Sequence, residues 1–170
     1  MIPNPAETTL QQNTLDLLAR MGCTYISPEA IPRYRENTRQ VLLKKVLRAQ
    51  LSKLNGYEYR GKRYAFGGKS IQKAIDDLEV ALEEGLMAAN RKISDQLVLG
   101  NAYVEEPEAG VQKSFSLHYI DFERPENNLF HITEEFVVDR QSTLEHTKTR
   151  RPDMVLFVNG ISFGVIELKR

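Results

Sequence analysis

Asp153, Glu167 and Lys169 are the residues whose types and spacing best suit chemistry. Asp153 follows Arg150-Arg151-Pro152 and leads into Met154-Val155-Leu156-Phe157-Val158. After Asn159-Gly160 comes a second apolar run, which ends in Glu167-Leu168-Lys169. Phosphodiester hydrolysis requires a neutralised phosphate, an activated water and a stabilised leaving oxygen. A Mg²⁺ ion held by one or two carboxylates does the first and assists the others. Asp153 and Glu167 offer hard oxygen ligands for Mg²⁺. Lys169 shares a strand face with Glu167 because side chains alternate with period 2. Its ammonium is placed to position a water or to stabilise charge on the phosphorane. Leu168 is expected to point the other way, into the core.

Register decides whether the two carboxylates can cooperate. A regular two-residue Asn159-Gly160 turn would set Asp153 against Ile166 and send Glu167 to the opposite face. A three-residue connection, Asn159-Gly160-Ile161, would pair Val158 with Ser162 and bring Asp153 across from Glu167. A metal site therefore predicts that longer loop or an equivalent bulge. The plainer alternative remains open: Asp153 as a strand-entry turn residue and Glu-x-Lys as an exposed edge pair. The strongly apolar strands on which they sit weigh for a site, because unpaired charge is costly there.

Helical periodicity covers Glu7–Met21, stopped by Gly22, and Arg35–Leu54, stopped by Asn55-Gly56. Ser70 is expected to cap a helix over Ile71–Glu84, and Leu86–Leu99 forms another, ended by Gly100. Cys23–Ile26 reads as a short strand, and Tyr57–Lys69 as a loop or loose hairpin. The second half is rich in β-branched and aromatic runs: Ser114–Phe122, Phe130–Val138, Met154–Val158 and Phe163–Leu168. Helices first and strands later imply an α/β or α+β sheet with helices packed on it. Met154–Val158, apolar throughout, is expected to be central. A candidate site strand directly before Arg170 suggests the N-terminal part of a longer polypeptide.

The chain has 170 residues, 41% hydrophobic and 27% charged, enough for one domain with a real core. No apolar run approaches the roughly 20 residues that span a bilayer. Met1-Ile2-Pro3-Asn4 lacks the features of a secretory signal. The single cysteine, Cys23, excludes an internal disulfide and a Cys-rich zinc site. Together these point to the cytoplasm. Net charge is zero, yet Arg33–Arg63 holds ten Lys/Arg against Glu36 and Glu58. That segment is either a solvated face or a surface for DNA phosphate or an acidic partner. Lys148, Arg150 and Arg151 either hold DNA phosphates beside Asp153 or belong to a solvated loop. His118, His131 and His146 lack metal-ligand spacing. Phe66-Gly67-Gly68-Lys69-Ser70 resembles the end of a phosphate-binding loop, but Arg63 stands where that loop needs glycine.

The stretch Arg151-Pro152-Asp153 through Asn159-Gly160, with Val165-Ile166-Glu167-Leu168-Lys169, closely resembles the nuclease core of the restriction (R) subunit of type I restriction-modification enzymes. Ile120-Asp121-Phe122, Asn127-Asn128, Phe136-Val137-Val138, Leu54-Asn55, Ala74–Leu78 and Leu99-Gly100 extend the resemblance over nearly the whole chain. It implies a central mixed β-sheet flanked by helices, the restriction-endonuclease-like Pro-Asp…(Asp/Glu)-x-Lys core, after a helical N-terminal half. It implies that Asp153 and Glu167 bind Mg²⁺ and that Lys169 is the catalytic lysine. An acid on the first helix often completes such sites. Glu7 is the candidate, with complementing the helix dipole as its alternative. Residues 1–170 would be the N-terminal part of a nuclease domain, without the downstream helix whose Gln and Tyr support such sites and without ATP-driven motor domains. The implied partners are double-stranded DNA and the modification (M) and specificity (S) subunits. Two other readings stay open: a related repair or recombination nuclease, and a non-catalytic docking or DNA-binding module.

Overall fold

The computed structural model describes residues 5–79, 85–139 and 149–168, and the side chains of 5–8 and 86 fall outside the description. The chain divides into two compact units, Met1–Val46 with Leu129–Arg170, and Leu47–Asn128.

The first unit is built on a four-stranded mixed sheet. Its strands are β1 (Thr24–Tyr25), β6 (Phe130–Glu134), β9 (Met154–Val158) and β10 (Ile161–Ile166), in the order β1-β6-β9-β10. β1 runs parallel to β6; β6 and β10 run antiparallel to β9. β9 therefore has a neighbour on each side, and its unbroken apolar run serves both faces. On one face Met154 and Leu156 pack with Ile132 against Leu15 and Leu18 of α1 (Pro5–Arg20). On the other face Val155 and Phe157 pack with Phe136, Ile26, Ile31, Leu43 and Val46. Each such side chain contributes about 1.5–3 kcal/mol on burial, so slipping β9 by one residue would exchange two cores at once. A further short pair, β7 (Val138–Asp139) with β8 (Thr149–Arg150), leads back toward β9. Helix α1 ends where its sequence says. Gly22 takes φ +99°, its N–H reaches the Ala19 carbonyl and the Cys23 N–H reaches Leu18, a Schellman closure.

The expected helix over Arg35–Leu54 is only half present: α2 covers Lys44–Leu54. Residues 35–43 are drawn off into tertiary bonds instead. The buried Arg35 guanidinium donates to the carbonyls of Gln40 (3.0 Å) and Val137 (2.7 Å), and lies 4.2 Å from the centre of the Phe136 ring. The Thr38 hydroxyl donates to Asp139, and the Leu43 N–H donates to Gly160. Hydrogen bonds from Thr38 and Thr149 hold the Asp139 carboxyl below its ordinary pKa. Fixing Arg35 in the interior outweighs the modest helix propensity of this segment.

The second unit carries the hairpins β2–β3 (Tyr57–Tyr59, Lys62–Tyr64) and β4–β5 (Asn101–Glu108, Val111–Leu117), with α3 (Gly68–Asp76) and α4 (Leu86–Leu99). α4 matches its expected limits. The helix expected over Ile71–Glu84 starts earlier, at Gly68, and Ser70 is not its cap. The Glu105 carboxylate accepts the Gly67 N–H at 3.0 Å, while the Ser70 hydroxyl donates to the Val104 carbonyl. The helix also ends short of the expected limit, at Asp76, with residues 77–79 in a turn; residues 80–84 lie outside the described residues. Strand β4 carries Glu105, Glu106 and Glu108, and acid content concealed it in the sequence. With β1 to β3 interleaved among α1 to α4, the N-terminal part of the chain is mixed rather than helical. Tyr57 stacks on Phe115 at 4.1 Å between ring centres. Tyr103 donates to Asp77, and the buried Tyr119 hydroxyl lies within hydrogen-bond reach of both the Tyr103 hydroxyl, at 2.8 Å, and the Ala74 carbonyl, with one proton to give to either. Burial raises both phenols, Tyr103 to about 12. Among the described residues no helix is long and apolar enough to cross a membrane.

Candidate metal and nuclease site

The turn between β9 and β10 has two residues, not the three-residue connection considered from the sequence. Asn159 and Gly160 both take positive φ, +53° and +86°, and Val158 pairs with Ile161. That is the backbone of a type I′ turn, which Asn-Gly favours. The register then shifts inside β10. Ser162 pairs with Phe157 and Gly164 with Leu156, so Phe163 is an extra residue on the bulged strand. Past the bulge Val165 faces Val155 and Ile166 faces Met154. Continued one step beyond the paired residues, this register would set Glu167 across from Asp153. The equivalent bulge allowed for in the sequence analysis thus replaces the longer loop.

A second contact ties the two ends together. The Leu168 N–H donates to Asp153 Oδ2 at 2.6 Å. Asp153 is half-buried and Glu167 exposed. Leu168 and Ile166 pack against the Leu15, Ile132 and Met154 cluster, as expected for the core side of the strand. Alternation continued past the strand ends would send Asp153 and Glu167 to the opposite face, with Val155 and Val165.

A half-buried Asp153 and an exposed Glu167 are hard oxygen donors of the kind that suits Mg²⁺, which retains several waters and needs few protein ligands. Among the described residues no group of three or more His, Cys, Asp or Glu could enclose a metal. The donor set is therefore an open one, of hard oxygens. Lys169, Lys148 and His146 lie outside the described residues, as does the Glu7 side chain; position 7 itself lies in the first turns of α1. Arg150 is exposed in β8, across from Val138. Arg151 forms an exposed ion pair with Glu135 at 3.2 Å.

The sequence reading passed over several residues at this end of the sheet. Glu134 closes β6 and pairs with Met154. Its carboxylate accepts from Gln11 Nε2 and from the Tyr25 hydroxyl, each at 2.6 Å. Burial and then the bond to Glu134 raise the Tyr25 phenol, so it remains a donor at any working pH. The Glu135 N–H donates to the Asp153 carbonyl at 2.9 Å, with Glu135 at φ +48°. The signal was two adjacent glutamates leaving an apolar strand, Ile132-Thr133-Glu134-Glu135. The clearest cavity, about 370 Å³, lies within the second unit, lined by Leu54, Val98, His118, Ile120 and Phe122 among others; neither Asp153 nor Glu167 lines it.

Comparison with known proteins follows the same direction. The family model described as the type I restriction enzyme R protein N terminus matches residues 4–170. A protein of Methanocaldococcus jannaschii, named as a type I restriction enzyme MjaIXP endonuclease subunit, is 33% identical over 78 residues. The match takes in 46% of this chain and 7% of that protein, so this chain corresponds to a small part of its relative's length.

Proposed function

The chain belongs to the family of type I restriction enzyme R protein N-termini, and from that premise we propose that Asp153, Glu167 and Lys169 form the Mg²⁺-dependent nuclease site of a restriction endonuclease subunit that hydrolyses double-stranded DNA. The observation that carries this reading is the bulge at Phe163. It sets Ile166 against Met154, one residue further along β10 than a regular two-residue hairpin would, which supports Glu167 and Asp153 lying on one face, where a regular hairpin would separate them.

Bound Mg²⁺ would neutralise the scissile phosphate and lower the pKa of an attacking water. Asp153 and Glu167 hold the ion, and the Leu168 N–H fixes the orientation of Asp153 by occupying Oδ2. Lys169, two residues beyond Glu167 in the sequence, would orient the water or offset the charge of the phosphorane. Glu7 is the further acid that α1 would bring. Lys148, Arg150 and Arg151 hold backbone phosphates, contacts that carry no sequence information. Arg151 can leave its exposed pair with Glu135 at little cost, because such pairs contribute about 0–1 kcal/mol. Site recognition then belongs to the M and S subunits of the complete enzyme, and ATP use to motor domains outside these residues.

The reading is tested by calorimetric titration of Mg²⁺ or Mn²⁺ into this chain beside Asp153→Asn. Binding that the substitution abolishes is expected. Equal binding by both proteins would remove Asp153 from the metal site.

A further inference from the structure

The nuclease reading leaves Glu134 without a task, although its surroundings are built with care. Both carboxylate oxygens are engaged, each at 2.6 Å, by donors from two different elements, Gln11 of α1 and Tyr25 of β1. Both donors are neutral, and among the described residues no Lys or Arg pairs with Glu134. Bonds of this length to an ionised acceptor belong to the stronger class of hydrogen bond. The very next residue, Glu135, turns the chain through a left-handed conformation and gives its N–H to the carbonyl of Asp153. One side of this short segment is thus anchored to α1 and β1, and the other holds the backbone of Asp153.

We propose that Glu134 is a positioning residue for the metal site: clamped by Gln11 and Tyr25, it fixes the end of β6 and through the Glu135 N–H sets where Asp153 presents its carboxylate. The same clamp fixes the azimuth of α1. Both Glu134 carboxylate oxygens are already engaged by Gln11 and Tyr25, so Glu134 acts as a support and not as a ligand. This inference rests on the nuclease reading for its purpose, not for its geometry.

The test pairs two readouts on this chain: Mn²⁺ affinity by calorimetry, and hydrogen exchange at the Glu135 amide. Glu134→Ala is expected to weaken Mn²⁺ by about tenfold or more, the usual effect of losing a group that supports a ligand, and to speed Glu135 exchange by a similar factor. Tyr25→Phe removes one of the two bonds with little change of shape and is expected to move both readouts the same way, by less. The exchange variant Gln11→Glu/Glu134→Gln rebuilds an amide–carboxylate bond between α1 and β6 with its polarity reversed. It is expected to return both readouts to within about threefold of the original, which a ligand role for Glu134 would not permit. Equal Mn²⁺ behaviour in the original chain and in Glu134→Ala, whether binding is seen or not, overturns the inference, as does failure of the exchange variant to recover. Asp153→Asn separates the two ideas. If it abolishes binding while Glu134→Ala does not, only the positioning role falls; if neither changes binding, the site assignment falls as well.

Discussion

Asn159 combines two requirements that few side chains meet together. Its backbone occupies the left-handed region, and its buried side chain accepts the Leu129 N–H through Oδ1 at 2.8 Å while its own N–H returns to the Leu129 carbonyl. Asparagine tolerates that conformation better than most residues. Asn159→Ala is expected to cost about 2–4 kcal/mol, combining the left-handed penalty with a buried donor left without an acceptor. Denaturant unfolding measures it, and a loss below about 1 kcal/mol would mean that the turn does not depend on that side chain. His131 makes a prediction of another kind. Burial lowers its pKa, and its Nδ1 is buried without a hydrogen-bond partner among the described residues. The folded state therefore favours the neutral ring. The unfolded chain takes up a proton near pH 6.5, so below that value it binds more protons than the folded chain. Stability is full above about pH 6.5 and falls as pH drops from there toward the lower folded pKa. His131→Gln is expected to flatten this part of a curve of urea midpoint against pH; an unchanged slope would assign it to other groups.

At the scale of elements, the β9–β10 hairpin does the decisive work. A two-residue turn plus one bulged residue gives the same far register as a regular hairpin one residue shorter. Deleting Phe163 is therefore expected to keep Asp153 opposite Glu167 and to leave Mn²⁺ affinity within about threefold, a change smaller than supporting residues normally cause. Inserting an alanine between Val165 and Ile166 is expected to do the opposite, turning Glu167 away and abolishing binding. If the deletion also abolished binding in a folded protein, the bulge would be acting through the added strand twist and not through register alone.

For the whole molecule, the match takes in 7% of its relative's length, and the proposed function concerns a complete R subunit. The division of labour proposed above can be tested there. Lys169→Ala in a complete R subunit, assembled with M and S subunits, is expected to lower DNA cleavage by at least about 10²-fold, the size of effect seen when one charge-stabilising donor is lost. ATP hydrolysis driven by DNA should persist. Cleavage at the original rate would exclude Lys169 from the chemistry. Loss of ATP hydrolysis along with cleavage would show that the substitution damages assembly instead.

What could be read from the residues alone was local. Asn-Gly specifies its own turn, Gly22 its own helix end, and Met154–Val158 announces a strand covered on both faces, because each signal depends on a few adjacent residues. The types and order of Asp153, Glu167 and Lys169 were legible for the same reason. Where the signals are not local, the sequence misled or stayed silent. Arg35 to Leu43 has helical spacing, yet its groups bond to Val137, Asp139 and Gly160, partners roughly a hundred residues away. Glu134 is held by Gln11 and Tyr25 from two other elements, contacts that leave no local signal. Phe163-Gly164-Val165-Ile166 has no alternation to show which residues face inward. The tertiary structure decided that, because Ile166 and Leu168 find their burial against Leu15, Ile132 and Met154, and only a bulged β10 can satisfy both that core and the Asn-Gly turn.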